Sequence, residues 1–219
     1  MARPAVLVRR PPAPPRHLTD SDDTHCVNTH REQCFGAAGL RVRFTLEGDR
    51  HAHEVWLADG PNWVRVLSSV EGTPDDAWPP SPPFQSLQAE TRSGGRQLAL
   101  ALGLAGKSHW SASIEFDLAA ASAKVDVACR ASAAPVSPLG SRYRIWQPLV
   151  SHDDEHAILG GAGTSPVRAR LTLDQTIGPA RLEIDHDTIS IVPTITSRGL
   201  APDTIRWGYT IASCQANRS

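Results

Sequence analysis

Lysine is scarce in this 219-residue chain, occurring only at Lys107 and Lys124, and a surplus of either charge is missing altogether. Lys and Arg total 22 against 23 Asp and Glu, a formal charge of −1. A binder of nucleic acid or of an anionic membrane needs a basic excess on one face, so neither partner is expected. Long apolar runs are missing too. None approaches the ~20 residues that span a bilayer. The N-terminus offers the short apolar run Ala5-Val6-Leu7-Val8, then Pro11-Pro12-Ala13-Pro14-Pro15 where a secretory signal would place its apolar core. A cytoplasmic location follows by default. Helical periodicity is nearly absent, with one turn expected at residues 119–123 and another at 153–159. No Gly-x-Ser-x-Gly elbow, phosphate-binding glycine loop or His-Glu-x-x-His helix occurs, and no cofactor is expected. Gly160-Gly161-Ala162-Gly163 has no following Lys-Ser/Thr and reads as a flexible connection.

What the chain does have is alternation. Residues 40–46 and 51–57 alternate apolar and polar on either side of Glu47-Gly48-Asp49-Arg50, and residues 181–185 and 188–192 do the same around His186-Asp187. Period two marks half-buried strands, because successive side chains leave opposite faces. Folding the first pair across Gly48-Asp49 sets Leu40 against Leu57, Val42 against Val55, Phe44 against His53 and Leu46 against His51. The other face then pairs Arg43 with Glu54 and Arg41 with Trp56, an ion pair and a cation on an aromatic ring. The second pair sets Ile184 against Ile189 and Leu182 against Ile191.

Further strands are expected at residues 63–67, 98–104, 110–118, 124–131, 142–150, 167–175 and 204–212. For 98–104 and 110–118, a five-residue loop over 105–109 is expected, because it sets Leu104 against Trp110 and Leu102 against Ala112 on a shared core face. Roughly a dozen short strands with short connections predict an all-β antiparallel sandwich or barrel. Residues 38–214 form the single expected domain. Residues 1–37, poor in periodicity, are expected to be largely disordered with at most one helical turn near 28–33, and 215–219 are a short tail.

His51-Ala52-His53-Glu54 places two histidines on one face of a strand, where they can share a metal. The pattern resembles the first motif of the cupin family, a His-x-His pair with a glutamate between glycines, here bounded by Gly48 and Gly60. That resemblance implies a metal-dependent enzyme with His51 and His53 as ligands. Glu54, adjacent rather than several residues on, falls on the opposite face. The plainer reading has both histidines closing the open end of an apolar face. Cys26, His30 and Cys34 would lie too far apart on a helix, about 12 Å between the cysteines, to share a metal. His152-Asp153-Asp154-Glu155-His156 lacks calcium-loop spacing and reads as a solvated loop. Four cysteines permit disulfides, but a chain of this length does not require them, and Cys129 and Cys214, in strand phase with apolar neighbours, are expected to be buried thiols.

The remaining candidate is aromatic. Trp78 and Phe84 bracket the proline-rich stretch of residues 71–84, and His109 and Trp110 end the next loop. Rigid aromatic faces beside a few polar groups suit a small-molecule, glycan or protein ligand, and rigid loops lower the ordering cost of binding. The expectation is therefore a non-catalytic binding or interaction module. The alternative is the cupin-like enzyme.

Overall fold

The computed structural model describes residues 31–37, 39–161, 167–195 and 203–215. In chain order the strands are β1 (Glu32–Ala37), β2 (Leu40–Glu47), β3 (Arg50–Asp59), β4 (Asn62–Ser69), β5 (Ser86–Arg92), β6 (Arg96–Ala105), β7 (Ser108–Asp117), β8 (Ser122–Ala131), β9 (Ser141–Ile145), β10 (Leu149–His152), β11 (His156–Gly160), β12 (Val167–Leu173), β13 (Ala180–Asp185), β14 (Thr188–Pro193) and β15 (Asp203–Gln215). They build two antiparallel sheets, one of seven strands in the order β1-β2-β3-β4-β9-β14-β13 and one of eight in the order β10-β11-β12-β15-β8-β7-β6-β5. The sheets form a sandwich and do not close into a barrel. No helix among the described residues is long and apolar enough to cross a membrane.

Both hairpins have the register their alternation dictates. Leu40 faces Leu57, Phe44 faces His53 and Leu46 faces His51, while Leu182 faces Ile191 and Ile184 faces Ile189. His186 takes the positive φ, +48°, that its tight turn needs.

The β6–β7 connection corrects the expected five-residue loop. Ala105 pairs with Ser108 and Leu104 with His109, so the turn is Gly106-Lys107, with Gly106 at φ +57°. Leu100 then opposes Ser113 and Leu102 opposes Ser111. The leucines face solvent, and Ala99, Ala101 and Ala105 face the core. Space explains this inversion. A Cβ at Gly103 would stand 1.7 Å from the Pro83 carbonyl oxygen, so the proline-rich segment already fills the interior beside β6.

Four further corrections follow from tertiary context. β1 lies inside the stretch expected to lack structure, and its single bulky apolar residue, Phe35, is stacked on Phe116 at 5.2 Å and edge-on to Phe44 at 5.8 Å. One aromatic anchor leaves no periodicity to read. The run 142–150 is two strands in different sheets, β9 and β10, because Pro148 lacks the N–H a ladder needs. The expected turn of helix at 153–159 is a hairpin instead, in which Asp153 Oδ1 accepts from the N–H groups of Glu155 at 2.8 Å and His156 at 2.7 Å. β5, too polar to show alternation, forms the far edge of the eight-stranded sheet.

Side chains from both sheets share one hydrophobic core. Cys129 is a buried free thiol, its pKa pushed up to about 12 by burial, and Cys214 is free and half-buried. Cys34 is disulfide-bonded, so the chain uses a crosslink that its cysteine count permits and its length does not require. It sits in a strand, so spacing along a helix does not govern it. Cys26 and His30 lie outside the described residues.

Candidate functional site

The four aromatic candidates are not gathered on one surface. Phe84 and Trp110 are each 2% exposed. Phe84 sits 6.0 Å from the His53 ring, and its carbonyl accepts from the His51 N–H at 2.6 Å. Trp110 meets Trp207 edge-on at 6.1 Å. Trp78 is half-buried against the core, its carbonyl accepting from Ser137 Oγ at 3.2 Å. His109 follows strand parity to the exposed side of β7, opposite to its neighbour Trp110.

His51 and His53 point inward from β3 and are both buried. Among the described residues no group of three or more His, Cys, Asp and Glu side chains is placed to hold a metal. His53 Nε2 lies 2.9 Å from the Tyr143 hydroxyl, which bonds in turn to the Tyr209 hydroxyl. Tyr209 also bonds Ser141, whose Oγ accepts from Trp207 Nε1 at 3.0 Å. This chain of polar groups crosses the core from β3 and β9 in one sheet to β15 in the other. Glu71, just beyond β4, lies beside it. Burial raises the Glu71 carboxyl to about 7, against the Ser69 hydroxyl and the Arg50 guanidinium, which hold it down. Burial lowers His53 to about 4 and lowers His51 as well, so both imidazoles are neutral. Burial likewise drives Tyr143 well up and Tyr209 to about 12. The alternation of residues 51–57 made His53 legible. Glu71, Tyr143 and Tyr209, scattered over the chain, carried no local signal.

The outer face of the seven-stranded sheet is built differently. Trp56, Trp63 and Trp146 lie there among Arg41, Arg43 and Arg65. The Arg65 guanidinium carbon stands 3.4 Å from the Trp146 ring centroid and 5.7 Å from that of Trp56, with Arg43 over the Trp56 ring at 5.2 Å. Arg41 stacks on Trp63 at 3.7 Å rather than on its register partner Trp56. Trp63 stands opposite Ala58, whose small side chain leaves its ring open to the arginine. Glu54 accepts from Arg43 Nε and Trp56 Nε1, both at 3.2 Å, and bonds Arg65 as well. Burial acts to raise the Glu54 carboxyl, but Arg65 and Arg43 outweigh it and leave it below the ordinary value. Glu54 is thus fully committed on the face away from the histidines, so the His51-x-His53 pair lacks the carboxylate that the cupin pattern supplies. Trp146 is 44% exposed, its Nε1 donating to Ser68 Oγ at 2.8 Å.

No family model matches the chain, and no curated protein matches it. A solved structure of a heparinase III gene product with methylated lysines aligns with 88% of this chain at 8% identity and a TM-score of 0.49. The chain spans 37% of that protein's length. A likeness this distant carries no argument about function.

Proposed function

We propose that this chain is a non-catalytic binding module that presents the tryptophan and arginine face of its seven-stranded sheet to a protein partner bearing carboxylates. One observation carries the reading: half-exposed Trp146 stacks on Arg65 within a face that also holds Trp56, Trp63, Arg41 and Arg43. Tryptophan and arginine dominate the residues that hold protein interfaces together. Guanidiniums against the indoles of Trp63 and Trp146 occupy ring surface that a sugar would need for stacking, and instead present planar donors to carboxylates. Among the described residues Arg41 has no carboxylate at ion-pair distance, and stacking fixes its side chain before a partner arrives.

Titration of the intrinsic fluorescence with polyglutamate tests the proposal, with a uronic acid oligosaccharide and neutral dextran alongside. Polyglutamate is expected to quench the signal at low salt, and Trp146→Ala or Arg65→Ala to weaken binding at least tenfold. A response to the oligosaccharide alone, or to no probe, overturns the proposal. So does a loss of binding in Trp78→Ala with Trp146→Ala unaffected, which would place the contact on the proline-rich loop.

A further inference from the structure

The outer face of the eight-stranded sheet carries a row of apolar side chains that the fold does not use. Leu100, Leu102 and Leu104 on β6 are 40%, 56% and 49% exposed. Scattered exposed leucines are ordinary, but three in register form a ridge. Leu100 and Leu102 themselves line a trough of about 350 Å³, with Gln88 on β5 to one side and Ser111, Ser113 and Arg206 to the other. Ridge and trough lie on the same face.

From this relief we infer that the outer face of the eight-stranded sheet is the contact through which a second copy of this chain packs. A two-fold contact brings one patch against its own image, so the patch must hold both a projection and the recess that receives it. The leucine ridge and the adjacent serine- and alanine-floored trough meet that condition, and Ser111 and Ser113, directly opposite Leu102 and Leu100, leave room for a facing leucine. Charge points to the same occupant. Arg206 is held by Asp126 at 2.6 Å and Arg96 by Glu115 at 2.7 Å, so the trough wall and strand end are internally neutral and do not repel their own image. The area suffices as well. The ridge and trough span β5, β6, β7, β8 and β15, which at ~3.3 Å per residue and ~4.8 Å between strands make a face on the order of 800 Å², about what each partner gives to a standard interface.

Sedimentation velocity on the full chain, from micromolar to hundreds of micromolar, tests the inference. A monomer–dimer equilibrium is expected, and non-reducing electrophoresis separates it from disulfide crosslinking. Leu102→Glu, which buries a charge in the contact, and Ser113→Arg, which fills the trough from the other strand, are each expected to raise the dimer dissociation constant at least tenfold with an unchanged circular dichroism spectrum. Trp146→Ala is expected to leave it alone. A wild-type monomer at every concentration overturns the inference, as does a dimer indifferent to both folded variants. Growth past the dimer also overturns it, because a two-fold contact through one face closes at two copies.

Discussion

The outer faces of the two sheets come from the same alternation and end in opposite chemistry. On β2 and β3 the bulky apolar residues Leu40, Val42, Phe44, Val55 and Leu57 turn inward and leave arginine, glutamate and tryptophan outside. On β6 the bulky residues Leu100, Leu102 and Leu104 turn outward, and alanine and glycine line the core. Residues 79–84 account for the inversion, since they occupy the interior against Gly103. Periodicity therefore tells which residues share a face. It does not tell which face is the core when a distant loop fills the interior.

The sharpest way to break this comparison is to substitute the two faces of one strand. Gly103→Val drives a Cβ into the Pro83 backbone and is expected to cost about 3 kcal/mol or more, by the overpacking that close-packed cores do not relieve. Leu102→Ala, on the outside of the same strand, is expected to fall within about 0.5 kcal/mol for the monomer. Urea denaturation at low protein concentration reads both, and a larger loss for Leu102→Ala would mean that β6 is faced wrongly.

A second test concerns what lies between the faces. His53 titrates near 4 in the folded chain against an ordinary 6.5, so below 6.5 the unfolded chain takes up a proton that the folded chain refuses, and acid lowers stability. Glu71 titrates near 7 against 4.5, so its contribution is fully present below 4.5 and is lost as pH rises through 7. Between about 4.5 and 6.5 each state holds one proton on this pair, and the two effects cancel. Glu71→Gln removes one side of the balance. Its stability is expected to fall by about 3 kcal/mol between pH 6.5 and 4, taking 1.36 kcal/mol per pKa unit, with no matching fall from this pair in the parent. Denaturation midpoints across that range check it, and identical pH profiles would sink the assignment.

A loss smaller than that of Gly103→Val or of Glu71→Gln in acid belongs to the arginine face. Glu54→Gln leaves Arg43 and Arg65 without their shared carboxylate and is expected to cost about 1 kcal/mol at low salt, shrinking as salt is added. A loss independent of salt would mean that packing against Trp56, rather than charge, holds this face.

Local pairing was legible in two hairpins whose core face carries their bulky residues, and was misread at β6–β7, where that face carries alanine and glycine. The register of residues 40–57 and of 181–192, and the burial of Cys129, all followed from phase. Whatever depended on a distant partner was not legible. β1 is held by Phe35 against Phe116, and β5 by pairing with β6 and by the single side chain of Leu87 packed against the core. Of the arginine and tryptophan face, Arg43 with Glu54 could be read from one hairpin, whereas Trp146, just past β9, reaches it from 78 positions beyond its partner Ser68. Trp78 and Phe84 were singled out by their rigid setting, and that same rigidity fits Phe84 to fill the core.

The stretch at residues 81–85 also ties the two sheets together. Ser81 Oγ donates to the Arg142 carbonyl at 2.9 Å and accepts from its N–H at 3.0 Å, and the Phe84 carbonyl accepts from His51, so β9 and β3 are held from one side. The Gln85 N–H donates to Leu102 and its side-chain oxygen accepts from Leu104, so β6 is held from the other. The amides of His51, Gln85, Leu104 and Arg142 are thus protected from exchange with solvent by one short segment whose prolines leave little local freedom to fray. Opening at this end of the molecule is therefore expected to be a single cooperative event, in which these four amides lose protection together.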